Sequence, residues 1–175
     1  MNTDFLETVL NSLHHVFGLL VQVNVDVSET STKEKMAFVS KKSITGYMNL
    51  ISNNAQASIA VIIPDNVVLT IADKIMPEQF VRINEVVIDL VGEITNMIAG
   101  GVKGQMEEQG YLFALSLPTI ILGSEYFVAH LPQSEVTQVD LNTELGTFSL
   151  EVCFQGGPDF CPLTTNIPEL FDDVF

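Results

Sequence analysis

Residues 82–109, R-I-N-E-V-V-I-D-L-V-G-E-I-T-N-M-I-A-G-G-V-K-G-Q-M-E-E-Q, form a long helical pattern, and the rest of the fold has to be arranged around it. Ile83, Val86, Val87, Leu90, Ile94, Met97 and Ile98 recur at helical spacing, which predicts one buried face. Asp89, Glu93 and Asn96 follow a second rule, at i, i+4 and i+7. At about 100° per residue they share a sector roughly 60° wide, about a third of a turn from the centre of the apolar stripe. The helix therefore presents two carboxylates and a carboxamide along one line. If the chain does chemistry, it is expected there.

The remaining segments suggest what buries that helix. Residues 4–19 read as a first amphipathic helix with Phe5, Val9, Leu13 and Phe17 inward and Gly18 at its end. His14 and His15 point to different faces, which predicts one packed and one solvated ring. Val21, Val23, Val25 and Val27 alternate with polar residues and predict a half-buried strand, followed by a polar loop or exposed hairpin end over 28–35. Strands are expected over 36–40, 43–51 and 57–63, with Asn53-Asn54 as a turn, then a short helix over 66–75 capped by Asp65. Beyond the long helix, strands are expected at 111–117, 125–131 and 146–154, an apolar turn at 120–123, and a solvent loop over 132–144. Gly100, Gly101 and Gly104 are poor helix formers, so a close backbone approach at the site or tight helix–sheet packing is the expected reason for them. The class is α+β: a largely antiparallel sheet with two long helices and a short one on one face. Residues 1–154 read as one domain and 155–175 as an acidic extension.

Charge and composition remove several functions. The net charge is −15, from 7 basic and 22 acidic residues, and 11 acids follow the last base, Lys103. Nucleic acid and anionic membrane both demand Lys and Arg against phosphate, so neither is an expected partner. With no apolar run of membrane-spanning length and no basic n-region, a cytoplasmic protein is expected. Cys153 and Cys161 have no nearby His and do not make a zinc site; free thiols are expected, with a disulfide as the other reading. Nucleophile-elbow, phosphate-loop, dinucleotide and H-E-x-x-H motifs are absent.

An enzyme built from these residues must act with few groups. The E-x-x-N of Glu93 and Asn96 is unspecific by itself, and from spacing alone a solvated polar helix face is the plainer explanation. A carboxamide nevertheless offers a donor and an acceptor, so Asn96 is able to hold a water in a fixed orientation. It is a poor base. That restricts it to electrophiles already activated, such as an acyl phosphate, where positioning supplies most of the rate.

The blocks G-E-I-T-N-M-I-A-G-G and S-L-P-T-I-I-L-G, at 92–101 and 116–123, make the chain resemble the CheX proteins of the CheC/CheX/FliY group. The group's pattern of an acid or Ser, E-x-x-N and a Pro about twenty residues on is matched by Asp89, Glu93, Asn96 and Pro118, together with Gly100. The resemblance implies a pseudo-symmetric α+β fold, a homodimer, and a phosphatase of phosphorylated CheY-type response regulators. Asn96 would orient the attacking water and Glu93 would salt-bridge the regulator's active-site lysine, with Asp89, Gly100 and Pro118 in the partner-binding surface. No cofactor of its own is implied, since the Mg²⁺ belongs to the regulator. Glu7 and Asn11 are four apart, so the first helix departs from the motif and one site per chain is implied. The rival reading is a non-catalytic adaptor for a phosphorylated regulator, using the acidic tail and its terminal L-F-D-D-V-F.

Overall fold

Apolar residues at helical spacing and at alternating spacing have to meet across one layer boundary, and they do so between three helices and a sheet. The computed structural model describes residues 3–32, 39, 41–131 and 134–156. Helix α1 (Thr3–Val16) runs into a π-helical turn (Phe17–Val21); then come β1 (Asp26–Thr32), β2 (Ser43–Ile51), β3 (Ala55–Pro64), α2 (Asp65–Ile75), α3 (Glu85–Glu107), β4 (Ala114–Leu115), β5 (Thr119–Gly123), β6 (Val136–Thr143) and β7 (Gly146–Gly156). Among the described residues these seven strands make one sheet in the order β1-β6-β7-β3-β2-β4, with β5 also paired to β2. Every pairing is antiparallel.

The core lies between that sheet and the helices. Phe5, Val9, Leu13 and Phe17 from the first helical stretch meet Val91, Ile94, Ile98 and Val102 of α3 over Ile59, Val61, Leu150 and Val152 of the central strands. Asn53-Asn54 turns β2 into β3 as expected, closed by the Ser52 N–H donating to the Ala55 carbonyl at 2.8 Å. Between β6 and β7, Gly146 has φ 132°, and a Cβ there would lie 2.7 Å from Val67 Cγ2. Both backbone and packing ask for glycine at that turn.

The helix-free face of the sheet is partly covered by the segment between β5 and β6. His130, with 1% of its side chain exposed, sits between Ser58 Oγ (2.8 Å from Nδ1) and Glu151 Oε2 (2.9 Å from Nε2). Tyr126 reaches Thr45 through their hydroxyls at 2.6 Å. Residues 125–131, expected as a strand, are therefore irregular apart from one bridge between Tyr126 and Val39. Their task is to bring partners to polar groups on the sheet, which a paired strand would not do. Burial pushes the Cys153 thiol on this face upward from its ordinary range, partly offset by hydrogen bonds with Ser134, the Leu131 backbone and Ser58. Cys153 is a free, buried thiol. It should alkylate more than about tenfold slower than an exposed thiol at pH 8 and react fully in denaturant, as read by mass mapping of the labelled peptide.

Several expected boundaries move. Val21, Val23 and Val25 are buried without joining the sheet, and the polar run after them forms β1 instead, every residue exposed. An edge strand needs only backbone partners on β6, so its side chains carry no apolar signature. The solvent loop expected over 132–144 contains β6, where Val139 and Leu141 turn inward between polar neighbours. The strand expected over 111–117 shrinks to β4, and the expected apolar turn is β5. Asp65 opens α2 without a capping hydrogen bond and pairs with Lys42 at 3.2 Å. His14 and His15 are both exposed, because the buried arc of α1 runs through Val9, Ser12, Leu13 and Val16. The strand expected over 36–40 and the extension after Gly156, with Cys161, fall outside the described residues apart from Val39.

Candidate functional site

Helix α3 starts three residues later than the pattern suggests, at Glu85, because Asn84 caps it by accepting the Val87 N–H at 3.1 Å. Its rotation about its own axis is then set by two close approaches and one ordinary van der Waals contact. Toward the sheet, a Cβ on Gly46 of β2 would collide with Thr95 Oγ1 and lie 3.0 Å from Thr95 Cβ. Thr95 is fully buried, and its hydroxyl donates to the Val91 carbonyl at 2.7 Å. Toward α1, a Cβ on Gly101 would collide with Ser12 Oγ, which donates to the Ile98 carbonyl at 2.8 Å. Toward the sheet edge, the Cβ position of Gly92 is 3.9 Å from Pro118 Cγ and 3.9 Å from Ile120 Cδ1.

With those three contacts fixed, the remaining sector of α3 faces outward. Taking Gly92 as zero, Asn96, Asp89, Gly100 and Glu93 fall at about 40°, 60°, 80° and 100°. All four are exposed, while Leu90, Val91, Gly92, Ile94, Thr95, Ile98 and Ala99 are buried. The carboxamide of Asn96 is open to solvent and not sealed beneath its neighbours. Glu93 and Asn96 are about 4.5 Å apart along the axis and about 60° apart around it, so one ligand can engage both.

The expected site residues thus come together on one ridge, with half-buried Pro118 one helical turn before Asn96 at its edge. Gly100 contributes open surface: a Cβ there would meet nothing within 4 Å, and the same holds for Gly104. Of the three glycines in this part of α3, Gly101 is the one that close packing requires, and it packs against a helix. Sequence reasoning missed Gly46 and Thr95, which hold the ridge from below. The signal was available as a glycine in the middle of an apolar strand, a position that marks close approach by another backbone or side chain. Among the described residues, no group of three His, Cys, Asp or Glu side chains comes together to hold a metal ion. No helix is long and apolar enough to cross a membrane among the described residues.

Comparison with known proteins identifies the family and the fold. The family model for the chemotaxis phosphatase CheX matches residues 44–142, which includes the whole ridge and Pro118. A CheC-like superfamily protein from Shewanella sp. PV-4 is 28% identical with a TM-score of 0.81, over 89% of this chain and 100% of that one. The chemotaxis protein CheX from Vibrio vulnificus shares the fold at 23% identity and a TM-score of 0.78, over 87% and 100% of the two chains. The fold also recurs, at 18% identity and a TM-score of 0.70, in the CheX–CheY–BeF₃–Mg²⁺ complex from Borrelia burgdorferi, over 87% of this chain and 98% of that one. No curated protein sequence matches significantly.

Proposed function

The chain belongs to the chemotaxis phosphatase CheX family, and on that premise we propose that it hydrolyses the phospho-aspartate of a CheY-type response regulator. The observation that carries this reading is the joint exposure of Glu93 and Asn96 on one ridge of a helix packed on three sides. The Borrelia complex, in which a similarly folded CheX protein holds CheY, supports the choice of partner.

The chemistry asks little of the enzyme. An aspartyl phosphate is an activated anhydride, so a water placed in line with the P–O bond to the carboxylate is enough to hydrolyse it at a useful rate. Asn96 accepts a hydrogen from that water and donates to an oxygen on the phosphoryl group, fixing the water's direction of approach. The water oxygen bonds to phosphorus, the P–O bond to the aspartate breaks, and a carboxylate and inorganic phosphate leave, the surplus proton passing to phosphate or solvent. Glu93 pairs with the regulator's active-site lysine and sets the register of docking. Asp89, Gly100 and Pro118 line the rest of the footprint. The Mg²⁺ belongs to the regulator in this scheme. The working unit is a cytoplasmic homodimer of the 1–154 domain.

The test is the lifetime of the phosphorylated regulator. Shortening by substoichiometric protein establishes turnover, whereas protection that titrates one to one would make the chain an adaptor. Glu93→Gln keeps the shape and removes the charge; it should raise KM by about tenfold with little change in melting temperature. An unaltered KM would remove Glu93 from the docking surface.

A further inference from the structure

We propose that Leu117 is a docking residue, an apolar contact that the regulator covers when it seats on the Glu93–Asn96 ridge; this rests on the function proposed above. The edge of the sheet is broken at this point. Strand β4 pairs with Leu50 and Ile51 of β2, β5 pairs with Ser43 to Tyr47, and the intervening residues 116–118 leave the ladder. Ser116 closes the gap twice over: its N–H donates to the Asn49 carbonyl at 2.9 Å, and its Oγ accepts the Asn49 N–H at 3.0 Å. Pro118, on the other side, rests on α3 at the Gly92 position. Leu117 is held between these two anchors with 87% of its surface exposed.

Isolated exposed leucines are common on protein surfaces and ordinarily mean nothing. This one differs in its support and its place. The backbone on both sides of it is pinned, so covering it requires no further ordering of the main chain. Its chain neighbour Pro118 also flanks the bank of α3 nearest Asn96, since Gly92 at zero faces Pro118 and Asn96 stands only about 40° away. A body that brings a phosphoryl group to the Asn96 amide passes over this rim. The matching surface on the regulator is an apolar side chain or alkyl segment beside its phosphorylated aspartate.

The experiment compares wild type, Leu117→Ser and Asn96→Ala in the phosphate-lifetime assay and in binding to regulator loaded with beryllofluoride and Mg²⁺. For Leu117→Ser, KM and the dissociation constant should rise by about tenfold with kcat retained, while Asn96→Ala loses kcat and keeps binding. If wild type is active and Leu117→Ser leaves KM unchanged, the leucine lies outside the footprint and the phosphatase reading stands without it. A change in oligomeric state by light scattering, with KM unchanged, assigns the leucine to self-association and overturns the proposal. Wild-type protein that neither shortens the lifetime nor binds the loaded regulator overturns both readings together.

Discussion

Asn96→Ala should abolish stimulated dephosphorylation, lowering kcat by at least about 100-fold, as is usual when one preorganised hydrogen-bonding group is removed from a reaction centre. Because Asn96 is exposed and alanine is a better helix former, stability should stay within about 0.5 kcal/mol of wild type. Asn96→Asp sharpens the result. It preserves size while removing the NH₂ donor and setting a negative charge against a phosphoryl group, so it should be as inactive as alanine. Stopped-flow or radiolabel decay of the phosphorylated regulator reads both variants. Turnover retained by either one would show that the amide does not orient the water.

Gly46→Val should be the most damaging single change in the sheet. Even the first carbon added there collides with Thr95 Oγ1 and comes within 3.0 Å of Thr95 Cβ. Thr95 has little freedom to yield, being fully buried with its hydroxyl bonded to Val91. Overpacking of this kind costs about 1–3 kcal/mol, with larger values where the backbone cannot shift, and valine belongs at the upper end. Chemical denaturation should show the loss directly. Gly46→Ala should be milder and partly rescued by Thr95→Ala, which removes the colliding oxygen; a double-mutant cycle with no coupling would contradict the close approach. Since Thr95 precedes Asn96, any variant that folds by tilting α3 should also lose activity, even though Gly46 lies beneath the helix and away from the ridge.

The fold class was legible in the sequence because α1, α3, β2, β3 and β7 each bury one apolar face at the spacing of their own geometry. The elements that escaped were those stabilised from elsewhere. Strand β1 is an exposed edge held by backbone bonds to β6, and β6 hides its inward Val139 and Leu141 among acids and amides. Residues 125–131 read as a strand but are irregular, because His130 and Tyr126 answer to polar groups on distant strands, Ser58, Glu151 and Thr45, and such pairings leave no local pattern. At the site, the spacing of Asp89, Glu93 and Asn96 placed them on one line, and they do lie on one exposed ridge. What the spacing could not reveal was the set of contacts at Gly46, Gly92 and Gly101 that orients the line, because each involves a residue far away in the chain.

None of the three ridge side chains helps bury the face of α3 on which folding depends. Mutation can therefore erase the amide in a descendant without any penalty to its architecture, and natural selection for a stable fold would never notice. Lineages that have fallen silent should persist beside active ones, identical in silhouette, and a single position on α3 would tell them apart.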